Sequence, residues 1–173
     1  DNKLAVYVNT TEQHEGWWYG GGGIYRNVWL CKSNLVSVDR NGAYVHPQKC
    51  GEYWHIPVDL TLRCDDAACH SVTVKAEIYD KDQLAAETTT GDVTIAAKDK
   101  ANLSLGCDIR EPKLWDCDNP NLYRAVVHVY ENRTEIDTYE TRFGFRTIRF
   151  DADHGFFLND KPVKINGVCC HED

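Results

Sequence analysis

Hydrophobic and polar residues alternate along most of the chain, and this two-residue period is typical of half-buried β-strands. The clearest case is residues 71–80, SVTVKAEIYD, where one face would carry Val72, Val74, Ala76 and Ile78. Similar runs occupy residues 4–8, 54–64, 92–97, 100–109, 122–132 and 134–150. No stretch has the 3.6-residue period of a helix. The pattern predicts about seven strands and an all-β sandwich.

Clusters of turn-forming residues separate these runs. They predict connections between strands at DRNG (39–42), TTTGD (88–92) and DCDNPN (116–121). ENRTE at 131–135 suits a tight connection between the last two long strands. Near the end of the chain, FFL and PVKIN flank Asn159 and Asp160. Both residues tolerate the positive φ of a type I′ turn, so we expect a hairpin there.

The charge of the chain excludes some classes of partner. With 19 basic and 27 acidic residues the net charge is −8, whereas nucleic acid and anionic lipid both select a cationic surface. No apolar run approaches the roughly 18 residues of a membrane span. We therefore expect neither nucleic acid nor a membrane as a partner, while a neutral, polyhydroxylated ligand is compatible with this charge.

The two ends of the sequence indicate a piece of a longer protein. Met is absent, even at position 1. The chain stops directly after HED at residues 171–173, where charged side chains follow an apolar run. A complete domain rarely ends in this way, so we expect further sequence on both sides.

The chain has eight cysteines but no C-x-x-C pair. Because a chain of this length can hold a core without disulfides, the favoured interpretation is buried, reduced thiols that act as small hydrophobic residues. A disulfide framework, as in an extracellular receptor domain, is the alternative. CDDAACH at 64–70 could be part of a metal site, but no second pair of ligands stands at usable spacing. We therefore expect no metal and no cofactor.

The stretch GWWYGGGGIYR at residues 16–26 combines aromatic rings with four consecutive glycines. A phosphate site would need glycines that lead into a helix, but the run IYRNVWL that follows is predicted to be a strand. Two interpretations stay open. Trp17 and Trp18 could face a sugar, with Glu15 accepting its hydroxyl groups. Alternatively the rings simply pack on the sandwich, which the residues alone favour.

Three segments of the chain together resemble glycoside hydrolase family 2, the group of β-galactosidases and β-glucuronidases. They are EGWWYGGGGIYRNVWL at 15–30, LWDCDNPNLYRAVVHV at 114–129 and RFGFRTIRFDADHGFFLNDKPVKINGVCCHED at 142–173. The resemblance runs along the whole chain in the family's order and spacing. The double tryptophan is closer to the form found in bacterial β-galactosidases.

The resemblance implies a division of the chain into three parts. Residues 1–30 would be the end of a jelly-roll sugar-binding domain, and residues 31–147 an immunoglobulin-like β-sandwich. Residues 148–173 would form the first hairpin and strand of a catalytic (β/α)8 barrel. In this arrangement the sandwich is a scaffold that holds the jelly roll and the barrel together, so that loops of both shape one pocket.

The resemblance also implies sugar contacts. His171 matches the histidine after the first barrel strand, which contacts the sugar and stabilises the transition state, and barrel sites form at this face. Glu15 is carried over as a hydroxyl acceptor and Trp17 as a wall of the pocket. The family's two catalytic glutamates lie further along than residue 173. The resemblance therefore implies no catalytic residue in this chain, which alone should be inactive.

The implied function is hydrolysis of terminal β-D-galactosides by a retaining mechanism in the full-length protein. A homo-oligomer is compatible with this function, and free thiols favour the bacterial cytoplasm over the periplasm or secretion. The alternative is a stand-alone carbohydrate-binding or adhesion module that uses Trp17 and Trp18 as its platform. Saturable sugar binding by the chain itself would favour that alternative.

Overall fold

The computed structural model describes residues 3–9, 23–24 and 26–169. The chain divides into two compact units, residues 32–164 and residues 1–31 with 165–173. Every strand of the described residues lies in the first unit, and the described residues of the second have no regular secondary structure. Since the described residues form no helix, none of them belongs to a helix able to cross a membrane.

Twelve strands follow one another along residues 32–164. They are β1 (Val36–Val45), β2 (Gln48–Cys50), β3 (Tyr53–Cys64), β4 (His70–Asp80), β5 (Gln83–Thr89), β6 (Val93–Ile95), β7 (Lys100–Arg110), β8 (Tyr123–Glu131), β9 (Thr134–Phe143), β10 (Ile148–Asp151), β11 (Gly155–Leu158) and β12 (Lys161–Pro162).

These strands form two large antiparallel sheets and one small sheet. In the first sheet, β1 and β2 pair with successive parts of β3, and β7 pairs along almost the whole of β3. The second sheet has the order β5-β4-β8-β9, with β6 pairing with the start of β4. The small sheet is β10-β11-β12. The predicted all-β sandwich is confirmed.

The core lies between the two large sheets. Successive side chains of a strand point to opposite faces, and in β4 the residues predicted to share one face are all buried: Val72, Val74, Ala76 and Ile78. They pack in one cluster with the alternate residues of β3 and β8. Full burial of such an aliphatic side chain contributes about 1.5–3 kcal/mol, so this alternation is the main source of stability.

A polar contact joins the two sheets where β1 runs beside β9. The backbone N–H of Val38 donates to Oδ2 of Asp137 at 2.8 Å. The amide of Asn34 donates to the carbonyl of Ile136 next to it. Burial raises the pKa of Asp137 above its usual range, against the lowering effect of the Val38 hydrogen bond. The contact therefore holds β1 of one sheet against β9 of the other, and it places the carboxyl group of Asp137 in a partly buried site.

Both predicted hairpins are confirmed. The β8–β9 connection has φ of 49° at Asn132 and 66° at Arg133, and the β11–β12 connection has φ of 50° at Asn159 and 63° at Asp160. Positive φ at both central residues is the signature of a type I′ turn, whose twist matches that of the flanking strands.

Two interior predictions are wrong. DRNG does not connect two strands but lies inside β1, where the pairing with β3 shifts between Val38 and Ala43. DRNG is an irregularity within the strand rather than a turn, because β1 pairs with β3 both before and after it. The single strand predicted at 134–150 is divided into β9 and β10, because Phe145 leaves the sheet direction and enters the core. The strands β1, β2 and β5 were not predicted.

The strands predicted at residues 4–8 and 24–30 are also absent from the described part of those segments. Their apolar side chains are exposed, with 85% exposure at Leu4 and 75% at Trp29. A strand needs a partner for its backbone and a core for its apolar face, and the described residues of these two segments take part in no strand pairing. The two tryptophans and the glycines of the segment at 16–22 lie outside the described residues.

The outer face of the second sheet carries a charged network centred on Glu77. Its Oε1 lies 2.6 Å from Nζ of Lys75, and the hydroxyl of Tyr79 donates to Oε2 at 2.6 Å. His128 lies 3.4 Å from the same oxygen. These contacts, that of Lys75 most of all, lower the pKa of Glu77 to about 2. The ionised carboxylate is therefore more stable in the folded than in the unfolded chain.

We expect Glu77→Gln to reduce the free energy of unfolding by roughly 2 kcal/mol at neutral pH. A carboxyl with a lowered pKa stabilises the fold above its unfolded value and stops doing so as the pH falls through its folded value. The difference between variant and wild type should therefore shrink between pH 4.5 and about 2. Urea denaturation across this range measures it.

Glu140→Gln is the matched control, since Glu140 pairs with Arg124 on the same sheet but is 46% exposed. Its effect should stay below about 1 kcal/mol. Parallel stability curves for wild type and Glu77→Gln at all pH values would contradict the role given to Glu77.

Candidate functional site

The residues predicted to contact sugar lie outside the described residues. Glu15, Trp17 and His171 have no described geometry, so their roles stay predictions. The division at residues 1–30, 31–147 and 148–173 also stays a prediction. The structure instead brings together residues of the two other segments that carry the family resemblance, at the end of the sandwich where β9 leads into β10.

We call this group the exit cluster and define it as Trp115, Asn121, Gly144, Arg146 and Asn159. The loop DCDNPN supplies its first part. In that loop Oδ1 of Asp116 accepts hydrogen bonds from the backbone N–H groups of Asp118 at 2.9 Å and Asn119 at 2.6 Å. These bonds lower the pKa of Asp116. The carboxylate thus shapes the loop locally, as Asx turns do.

Trp115 joins this loop to the segment after β9. Its backbone N–H donates to the carbonyl of Phe145 at 2.8 Å. Gly144 must be a glycine because its backbone lies close to Trp115: a Cβ on Gly144 would lie 2.9 Å from Cβ of Trp115. The guanidinium of Arg146 lies 5.0 Å from the centroid of the indole ring, a cation–π contact. Trp115 therefore contacts the segment after β9 through its backbone, its Cβ and its ring.

Asn159 fastens the small sheet to this cluster. Its Nδ2 donates to the carbonyl of Trp115 at 3.0 Å, and its Oδ1 accepts from the backbone N–H of Thr147 at 3.0 Å. Its own N–H donates to the carbonyl of Thr147 at 2.9 Å. Since Asn tolerates the positive φ found here, one residue serves both the hairpin turn and the attachment.

Asn121 completes the cluster, because its Nδ2 donates to the carbonyl of Leu114 at 2.9 Å. Beneath it lie aromatic rings of the core. Phe145 is fully buried and meets Tyr123 edge to face at 4.7 Å and Trp54 at 5.5 Å. The buried hydroxyl of Tyr123 accepts the N–H of Lys113 at 3.0 Å, an arrangement similar to the tyrosine corner of immunoglobulin-like sandwiches.

A cleft of about 610 Å³ opens beside the cluster. It is lined by apolar and aromatic side chains together with two guanidinium groups, those of Arg142 and Arg146. The lining also contains His46 and Thr141, and it includes no carboxyl or thiol group.

Metal or disulfide chemistry is not found in the described residues. They contain no group of three His, Cys, Asp or Glu side chains arranged to hold a metal. His70 instead pairs with Asp66 and Glu131, at 3.0 and 2.7 Å. The seven described cysteines are free. The interpretation of them as buried is wrong for most, because only Cys64 is buried, while Cys31, Cys69, Cys117 and Cys169 are exposed.

Sequence reasoning found the loop and the hairpin but missed the contact between them. Asn159 was predicted only as a turn residue, although an asparagine amide can also bond to distant backbone. Gly144 was placed within a strand. A glycine inside a strand pattern signals close backbone approach, and that signal was available in FGF.

Gly144→Ala should destabilise the chain by about 1–3 kcal/mol, because the new methyl group overlaps Cβ of Trp115 and neither backbone can easily move. Gly91→Ala is the matched control, since a Cβ there meets nothing within 4 Å, and its effect should be near zero. Urea denaturation of both variants measures the difference. Equal stability of the two variants would contradict the close packing of the exit cluster.

Comparisons with known proteins place this arrangement in a family. The family model described as "Glycosyl hydrolases family 2" matches residues 38–146. The chain is 38% identical to the β-galactosidase BoGH2A of Bacteroides ovatus over 99% of its own length and 20% of that protein. It is 29% identical to a β-glucuronidase of Formosa agariphila, over 96% of the chain and 19% of that protein.

Comparison of the fold with solved structures points to the same family. A crystal structure of a β-glucuronidase of Bacteroides uniformis superposes on 88% of the chain with a TM-score of 0.78 at 26% identity, covering 19% of that protein. The chain thus spans about a fifth of the length of the relatives it matches. The family match and the sandwich with its exit cluster agree with the resemblance of the sequence motifs, and the chain belongs to glycoside hydrolase family 2.

Proposed function

We propose that this chain is the immunoglobulin-like segment of a longer glycosidase and that it acts as a scaffold between a sugar-binding domain and a catalytic barrel. Two findings support the proposal. The chain matches only about a fifth of each relative's length, and the family model covers residues 38–146, which lie mostly in the sandwich. The segment's contribution is then to hold neighbouring parts in a fixed position.

The observation that carries the proposal is the attachment of the small sheet by Asn159. Its amide bonds to the sandwich at Trp115 and to the chain entering β10 at Thr147. The sandwich and the β10-β11-β12 sheet therefore form one compact unit with a set direction of exit. A rigid exit matters in a glycosidase, because small misplacements of groups in the pocket cost large factors in rate.

For the substrate we propose terminal β-D-galactosides, cleaved with retention of configuration through two carboxylates outside this chain. The β-galactosidase from Bacteroides ovatus supports this choice through its 38% identity over nearly the whole chain. β-Glucuronides are the second candidate, because the structural match with a TM-score of 0.78 is a β-glucuronidase.

Within this proposal Glu15, Trp17 and His171 would reach the sugar in the longer protein. His171 would contact the glycone, Glu15 would accept a hydroxyl hydrogen, and Trp17 would form a wall. The proposed location is the bacterial cytoplasm, in keeping with seven free thiols among the described residues.

The test compares the chain with the longer gene product on chromogenic β-galactoside and β-glucuronide substrates. We expect the chain alone to be inactive and the longer product to hydrolyse the β-galactoside. In the longer product Asn159→Ala should lower kcat/KM on the order of tenfold, because the exit loses its attachment while the carboxylates remain.

Asp160→Asn is the matched control, since it lies in the same turn and Asn accepts the positive φ found there. Its kcat/KM should equal that of the wild type. Hydrolysis by the 173-residue chain alone would overturn the scaffold proposal, and so would unchanged kinetics of Asn159→Ala. Preference for the β-glucuronide would leave the scaffold in place and select the second substrate.

A further inference from the structure

The outer face of the first sheet carries a second cleft, which shares Tyr44 with the cleft beside the exit cluster but is lined by none of the five exit-cluster residues. It has a volume of about 510 Å³, and we call it the Tyr44 cleft. Its lining is Asn41, Gly42, Tyr44, Asp59, Leu60, Thr61, Asn102, Leu103 and Ser104. The proposed scaffold function makes no use of it.

The strand register explains why polar groups collect on this face. Asp59 of β3 lies opposite Tyr44 of β1 on one side and Ser104 of β7 on the other. The next outward pair is Thr61 with Asn102. Because side chains alternate across a sheet, these residues all point away from the core, which takes Leu60 and Leu62.

The irregularity in β1 opens the cleft. Gly42 sits so close to the neighbouring strand that a Cβ would lie 2.8 Å from the carbonyl oxygen of Thr61 and 2.8 Å from that of Asp39. Asn41 has φ of 56°. At Gly42 the wall of the cleft is therefore formed by backbone, because a side chain would not fit there. The absence of that side chain leaves the space beside Thr61 open.

Tyr44 provides an aromatic surface. It is 65% exposed, and its ring stacks on His46 with centroids 4.8 Å apart and planes 19° from parallel. Nε2 of His46 lies 2.7 Å from Oδ2 of Asp59. The contact with Asp59 holds the imidazole of His46 in place. The imidazole in turn holds the Tyr44 ring in a fixed orientation at the cleft.

The hydrogen-bonding groups fit hydroxyl groups. Hydrogen bonds from Ser104 and then His46 lower the pKa of Asp59, which keeps an ionised acceptor with lone pairs to spare. The hydroxyl of Thr61 donates to Oδ1 of Asn102 at 2.8 Å, and the amide of Asn102 also carries two N–H donors. Asp59 is the sole acidic or basic residue of the lining. The nearby cations Arg63 and Lys100 are paired with Asp39, so the lining favours a neutral ligand over an anionic one.

From this geometry we propose that the Tyr44 cleft binds a neutral oligosaccharide. The apolar face of a pyranose packs on Tyr44, its hydroxyl groups donate to Asp59, and other hydroxyl oxygens accept from Asn102. Stacking on an exposed aromatic ring combined with carboxylate and amide contacts is the chemistry that sugars require. The inference goes beyond the scaffold function and does not depend on it, because it concerns binding by residues of this chain alone.

The test is a titration of the full 173-residue chain, labelled with ¹⁵N, with a neutral β-linked galactose disaccharide. We expect saturable shifts of the amide signals of Tyr44, Asp59 and Asn102, with a Kd on the order of 1 mM because the cleft is open. The same disaccharide ending in glucuronic acid should bind at least about tenfold more weakly, since its carboxylate meets Asp59.

Variants locate the site. Tyr44→Ala should weaken binding by about tenfold or more, while Tyr44→Phe retains it, because the phenyl ring offers the same surface. Tyr53→Ala is the matched control, since Tyr53 is also exposed and lies on β3 outside the lining; it should bind as the wild type does. Dispersed amide spectra establish that each variant is folded.

Three results would each overturn the proposal. One is the absence of saturable shifts with the neutral disaccharide. The second is saturable binding whose shifts lie away from the cleft and which folded Tyr44→Ala retains unchanged. The third is equal binding of the glucuronic acid form, which would contradict the claim that the site selects a neutral ligand.

Discussion

One backbone contact governs the end of this sandwich: the hydrogen bond from the N–H of Trp115 to the carbonyl of Phe145. It sets the loop before β8 against the segment after β9. Phe145 can then enter the aromatic core, while Gly144 passes Cβ of Trp115 at a distance that a side chain would prevent. The direction in which the chain leaves the sandwich follows from this contact, and Asn159 extends it to the small sheet.

The same constraint explains why the family-like motifs consist of these residue types. A small residue is needed beneath Trp115, and an amide with both donor and acceptor atoms is needed at a turn with positive φ. A cation above the ring adds a cation–π contact. Each requirement is structural, which suits a segment whose proposed role is to position other parts. The outer faces of the two sheets are less constrained, and they carry the Glu77 network and the Tyr44 cleft.

Much of the fold could be predicted from the alternation of side chains, because burial of Val72, Val74 and their neighbours follows directly from a period of two. The type I′ turn at Asn159 and Asp160 could be predicted because its conformation depends on two adjacent residues, whereas ENRTE predicted only a tight connection between β8 and β9. The irregularity in β1 could not, since DRNG has the composition of a turn and only the pairing with β3 keeps it in the strand. The exit cluster depends on contacts between distant segments, such as Trp115 with Asn159. Local pattern can signal a close approach, as Gly144 does, but it does not identify the partner. The sugar contacts predicted at Glu15, Trp17 and His171 rest on resemblance alone.

The central claim is that the exit cluster makes the sandwich and the β10-β11-β12 sheet one body. Native-state hydrogen exchange of the amides of Trp115, Thr147 and Asn159 tests it most directly, with Val127 of the core as reference. If the two parts form one body, all three amides exchange through the same global unfolding as Val127, with opening free energies within about 1 kcal/mol of that of Val127. Exchange on the order of a hundredfold faster than Val127 would mean that the small sheet detaches on its own, which would contradict the claim.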